Sequence, residues 1–175
     1  MALIVFLRGV NVGGHKAFKP SVLAKDLAAL DVVSVGAAGT FVIRKRVGQA
    51  ALRAEFLKRL SFVPELMVCQ AREVLELAAS EPFEVESVGD DVVRYVSVLA
   101  KRLRTSVRLP ICRPAGDEWQ VKAIAIRGRF ALSLHRRLGR TLVYPNEVVE
   151  KCLGVPATTR KWNTIAAVCE ILKRA

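Results

Sequence analysis

Leu3-Ile4-Val5-Phe6-Leu7-Arg8, running into Gly9-Val10-Asn11-Val12-Gly13-Gly14, decides how the rest of the chain is read. An unbroken apolar run this short, bounded by a glycine-rich turn, has the length of a buried strand and falls short of a helix. It is also far short of the roughly 20 residues that span a bilayer. No basic stretch precedes it and no small-residue cleavage pattern follows, so it reads as a first strand and not as a signal peptide.

Working outward, Pro20 opens a helix to about Leu30, with Leu23, Leu27 and Leu30 at helical spacing. Val32–Val35 and Thr40–Arg44 then read as a strand pair around Gly36-Ala37-Ala38-Gly39. Gln49–Leu60 is helical, with Leu52, Phe56 and Leu60 on one face, and Glu65–Cys69 is a short strand. The order is β-α-β-β-α-β. A helix over Ala71–Ala79 stops before Pro82, as expected from the bias of pre-proline residues away from helix. Val92–Ala100 is a β-branched strand, and Gln120–Ile126 with Phe130–His135 forms a hairpin around Arg127-Gly128-Arg129. Asn146 is the expected N-cap of a helix ending at Gly154, and Thr158 or Thr159 the expected cap of the last helix. The fold class is α+β. We expect two ferredoxin-like, split β-α-β subdomains, residues 1–70 and 71–175, each an antiparallel sheet with helices packed on one face.

The 175 residues are 52% hydrophobic, ample for a packed core. Cys69, Cys112, Cys152 and Cys169 are widely spaced with no C-x-x-C pair, which suits separate thiols in a reducing compartment. A cytoplasmic location is expected, without membrane, metal or cofactor. Charge is the strongest compositional signal, with 28 Lys+Arg against 16 Asp+Glu for a net of +12. It is uneven: residues 1–88 hold 11 basic and 9 acidic residues, whereas 89–175 hold 17 and 7. A field of that sign draws polyanions, which makes nucleic acid or a small anionic ligand the candidate partner.

Three segments carry candidate chemistry. Arg8, Asn11, Gly13 and Gly14 form a glycine-rich turn able to aim backbone N–H groups at an anion. It is neither a P-loop nor G-x-G-x-x-G, and a tight strand-to-helix connection accounts for it equally well. Thr159, Arg160 and Asn163 sit where the last helix begins, and either bind an anion or cap that helix. Arg127, Arg129, Arg136, Arg137 and Arg140 bracket one strand of the hairpin as a candidate nucleic-acid surface, although the open sheet lacks the aromatics of an RNA-recognition module. His15 and His135 have no convincing nucleophile motif beside them, so nothing establishes an enzyme.

Taken together, Leu7, Arg8, Gly9, Asn11, Val12, Gly13 and Gly14, with Leu153, Gly154, Thr158, Thr159, Arg160, Trp162, Asn163 and Thr164, resemble the bacterial domain-of-unknown-function family 1697. The resemblance covers nearly the whole chain and implies two packed ferredoxin-like subdomains, without supplying an activity. Two departures stand out. The family shows Ser-Gly-Asn where this chain has Ala38-Gly39-Thr40, and Asn between the Arg and Trp of its last motif, where Lys161 stands here. Three functions follow for test: a non-catalytic module for nucleic acid or another anion, an enzyme or sensor for a small phosphate or carboxylate at the subdomain junction, and a protein-interaction module in which both motifs are structural.

Overall fold

The computed structural model describes residues 1–10, 18–84, 88–140 and 142–174. Chain contacts divide it into two compact units, Met1–Ala78 with Asn163–Ala175, and Ala79–Trp162.

The first unit is built around β1 (Leu3–Arg8). It pairs antiparallel with β3 (Thr40–Ile43) on one side and β4 (Glu65–Gln70) on the other, with Val5 opposite both Phe41 and Val68. The edge strand β2 (Val32–Val35) pairs outside β3, giving the order β2-β3-β1-β4. Every residue from Leu3 to Leu7 is buried. A central strand covered on both faces needs apolar side chains at successive positions, which explains the run without alternation. Helix α1 (Pro20–Asp26), a 3-10 turn at Ala28–Leu30, and helix α2 (Gln49–Arg59) follow their expected bounds closely. Leu23, Leu27, Leu52 and Phe56 join Leu3, Val5, Leu7 and Phe41 in one core cluster. Phe41 and Phe56 meet edge-on at 5.4 Å, and each buried ring contributes about 1.5–3 kcal/mol. Helices α3 (Ala71–Ala79) and α5 (Trp162–Lys173) touch where the Cys169 thiol lies 3.9 Å from the Val74 carbonyl.

The second unit holds β5 (Val92–Leu99), β6 (Ile111–Arg113), β7 (Val121–Arg127), β8 (Phe130–Arg136), helix α4 (Pro145–Leu153) and β9 (Ala157–Lys161). All neighbours are antiparallel, in the order β6-β7-β8-β5-β9. Apart from the extra edge strand β6, this is the ferredoxin-like order of the first sheet. Leu99, Ala131, Val149, Val155 and Ala157 pack the core beneath α4, which ends at Gly154 in the left-handed conformation.

Three features differ from expectation. The crossover from β5 to β7 has no helix in it. Lys101, Arg104 and Arg108 would stack like charges at helical spacing there, and Pro110 and Pro114 turn the preceding residues away from helix. Thr158 and Thr159 do not cap α5 but lie inside β9, opposite Val98 and Ser97. Asn146 is inside the first turn of α4, whose N-cap is Tyr144.

Candidate functional site

The β7–β8 hairpin turns at Arg127-Gly128-Arg129, where Gly128 has φ 59, a conformation costly for any residue with a Cβ. Arg129 faces back into the unit. Its Nε donates to the Leu99 carbonyl at 3.0 Å and its Nη2 to that of Ala100 at 3.4 Å. These bonds tie the hairpin turn to the start of the segment that follows β5. The same segment brings the Arg102 guanidinium beside Gly128, so close that a Cβ at 128 would lie 3.9 Å from it. A bulge at Ala123/Ala125 interrupts the β7 ladder just before the turn.

Between segment and hairpin runs a groove of about 440 Å³. Its lining includes Leu103, Thr105, Ser106, Val107, Ile126 and Arg127. Thr105 and Ser106 are exposed, as are Lys101, Arg102, Arg104, Arg108 and Arg127 in the same two segments of chain. There is no acidic residue from Val92 to Gly116, nor from Trp119 to Asn146. The two segments that wall the groove thus carry exposed cations and contain no carboxylate. Of the arginines picked out in the sequence, Arg127 and Arg129 belong here. Lys101, Arg102, Arg104 and Arg108 were missed, although the acid-free stretch around them was the signal available.

Arg136 is the last residue of β8, seven residues from the turn or about 20 Å along the strand, and Arg137 and Arg140 follow it. Arg136 is committed to structure: it stacks on Trp119 at 4.2 Å, donates from Nε to the Trp119 carbonyl at 2.7 Å, and from Nη2 to the Asp117 carbonyl. The hairpin therefore has two basic ends and not one continuous basic strand.

The N-terminal motif belongs to the first unit, whereas the C-terminal one belongs to the second as far as Trp162 and to the first from Asn163 on. Arg8, in the first, pairs with Glu65 directly across the β1–β4 ladder. Gly9 takes φ 65 and Val10 is buried. Asn11, Gly13, Gly14 and His15 lie outside the described residues. In the second unit, Arg160 is only 6% exposed; its Nη1 donates to Thr158 Oγ1 at 2.8 Å and to the Thr159 carbonyl at 2.9 Å. Burial pulls this guanidinium below its ordinary value, to about 10, so it stays charged at neutral pH. Thr159 is bonded within the unit, and Asn163 is exposed in the first turn of α5.

A second polar cluster was not legible in the sequence. Thr159 Oγ1 donates to Asn146 Oδ1 at 2.8 Å and meets Ser97 Oγ at 2.6 Å. Gln120 Oε1 accepts from the Val143 N–H at 3.1 Å. Residues 143–146 are thereby pinned across the sheet. On the same sheet face, Ser133 Oγ and His135 Nε2 are buried without hydrogen-bond partners among the described residues, and the Tyr95 ring stands 5.9 Å from the imidazole. Burial pushes the His135 imidazole below its ordinary value, opposed in part by a bond with the Val143 backbone.

No disulfide joins any of the four cysteines, of which Cys69 and Cys169 are buried. Among the described residues, no group of three or more His, Cys, Asp or Glu side chains is placed to hold a metal, and no helix is long and apolar enough to cross a membrane.

Comparison with known proteins gives a family and a fold. The family model described as DUF1697, protein of unknown function, matches residues 1–126. That stretch includes the N-terminal motif and excludes the one at 153–164. Among solved structures, the chain is similar to the conserved bacterial protein SP0830 from Streptococcus pneumoniae. The two share 14% identity over 98% of each chain with a TM-score of 0.56, a likeness of fold. No curated protein matches the chain.

Proposed function

We propose that this chain, which belongs to the DUF1697 family of proteins of unknown function, is a cytoplasmic protein that binds nucleic acid non-catalytically through the groove between residues 101–108 and the β7–β8 turn. One observation carries the reading: the two chain segments that wall one groove carry five exposed cations and two exposed hydroxyls, and neither segment contains a carboxylate. Exposed cations grouped this way lower the free energy of a polyanion chiefly by releasing its counterions. Hydroxyls between them supply the hydrogen bonds that phosphate oxygens accept. The cytoplasmic location draws support from the four cysteines outside disulfides, which suit a reducing compartment.

The small-anion reading has weaker support. The Arg8 charge is already met by Glu65, and the Arg160 guanidinium is turned onto its own strand.

Fluorescence anisotropy of a labelled duplex tests the proposal. With about four phosphates contacted, log affinity should fall against log salt with a slope of about −3 to −4, roughly a hundredfold from about 50 to 200 mM. Replacing Lys101, Arg104 and Arg127 by alanine should flatten the slope. Absence of binding at low salt, or binding indifferent to salt, would remove the proposal.

A further inference from the structure

We infer that a cavity between β6 and the last turn of α4 binds a small organic anion, whose carboxylate or phosphate meets Arg113 and Lys151. The inference goes beyond nucleic-acid binding and does not rest on it. This cavity shares no lining residue with the groove at the β7–β8 turn, and it uses neither Arg8 nor Arg160.

The topology leaves room for a ligand there. A split β-α-β unit lays two helices side by side on one sheet face. Here the crossover from β5 to β7 supplies the short edge strand β6 and no helix, so α4 lacks that neighbour. The cavity beside it measures about 670 Å³, within the range of about 300–1,000 Å³ that holds small molecules. Residues 110–116 supply its sheet side, and Lys151 with Cys152 its helix side.

The strand register fixes the side on which Arg113 lies. Arg113 is opposite Val121, and Val121 is opposite His135. Counting in twos along β8 from His135 reaches Ala131, which is opposite Ser97, itself opposite Thr159. Thr159 is the partner of Asn146 in α4. Arg113 therefore belongs to the sheet face that α4 covers, and it borders the cavity from the layer facing Lys151.

Charge selects the class of ligand. Among the described residues lining the cavity, Arg113 and Lys151 carry the only charges, and both are exposed. Glu150, next to Lys151, is turned to the Ala157 N–H, which it holds at 2.7 Å. A bond from Arg113 Nη1 to the Cys112 carbonyl at 2.9 Å steadies the guanidinium and engages one of its five donors. Lys151 also offsets the dipole of α4, but Arg113, on an edge strand, has no such role. Pro110, Ile111 and Ala115 supply apolar wall, which suits a ligand with a carbon skeleton better than a bare inorganic ion.

Cys152 is a reporter built into the cavity. It is partly exposed, whereas Cys69 and Cys169 are buried. In a Cys112→Ser background, its reaction rate is measured with two aromatic disulfides, DTNB, which carries two carboxylates, and dithiodipyridine, which is uncharged. The ratio of the rates cancels what the cations do to the thiol itself. R113A/K151A should lower the ratio about fivefold. K25A/R46A, which removes two exposed charges from the first unit, should leave it within about twofold. Citrate, added at constant ionic strength, should slow the DTNB reaction in the parent and not in R113A/K151A. Circular dichroism checks that each variant folds. An unchanged ratio in R113A/K151A, an equal fall in K25A/R46A, no protection by citrate, or a Cys152 inert to both reagents would overturn the inference. None of these results bears on nucleic-acid binding, which the anisotropy measurement tests separately.

Discussion

Gly39 ends the turn between β2 and β3 and takes φ 73. It is buried, and its carbonyl accepts the Leu7 N–H at 2.8 Å. A methyl group at this position would lie 2.9 Å from Leu7 Cβ, 3.1 Å from Val10 Cγ2 and 3.2 Å from Leu7 Cδ1. The Leu7 Cβ is fixed by the backbone of the central strand and cannot rotate aside. Gly39→Ala therefore carries two penalties: left-handed backbone strain of about 1–2 kcal/mol and overpacking of about 1–3 kcal/mol. Gly36, three residues earlier, separates them. It has φ 63 with nothing within 4 Å of a built Cβ, so Gly36→Ala carries the strain alone. Both variants gain equally from the lower entropy of an unfolded chain with alanine in place of glycine, so that contribution cancels in the comparison. Urea unfolding followed by far-UV circular dichroism should show Gly39→Ala less stable than Gly36→Ala by about 1–3 kcal/mol. Both tryptophans, Trp119 and Trp162, belong to the second unit, so their fluorescence monitors that unit separately. Equal costs for the two alanines, within about 0.5 kcal/mol, would refute the steric argument.

Other consequences are open to similar measurement. Ser133→Ala removes a fully buried hydroxyl that has no partner among the described residues, so the melting temperature should rise, by the equivalent of about 1 kcal/mol; a comparable fall would mean that the hydroxyl is satisfied. Because burial lowers the folded pKa of His135 relative to the unfolded chain, the unfolded state binds the extra proton first. The stability that depends on neutral His135 should therefore be complete above about pH 6.5 and decline as pH falls below it. His135→Gln should flatten that part of the melting-temperature profile, and an unchanged profile would exclude His135 as its source. Arg136→Ala loses the stacking on Trp119 and two bonds to backbone carbonyls, so the second unit should lose about 1–3 kcal/mol with a shift in Trp119 emission. If nucleic acid binds at the groove, its affinity should respond far more to Arg127→Ala than to Arg136→Ala.

Elements written in local chemistry were legible before any coordinates. The apolar run Leu3–Leu7, the Arg127-Gly128-Arg129 turn, the helix halted ahead of Pro82 and the left-handed stop at Gly154 all declare themselves within a few residues. Errors arose where a residue with two plausible local roles took the one set from a distance. Thr158 and Thr159 have the side chains of helix caps, but threonine is equally a strand residue, and pairing with β5 some 60 positions away decides between them. Asn146 likewise gives up a capping role to hold Thr159.

The sequence alone determined the α+β class, two sheets and the concentration of charge in the second half, because hydrophobic periodicity, turn residues and charge are properties of neighbours in the chain. Only the tertiary structure decided the strand orders, the commitment of Arg8 to Glu65 and of Arg136 to Trp119, and the meeting of Arg102 with the β7–β8 turn. These depend on pairings between residues far apart in the chain, and a charge counted in sequence carries no information about which partner it will face.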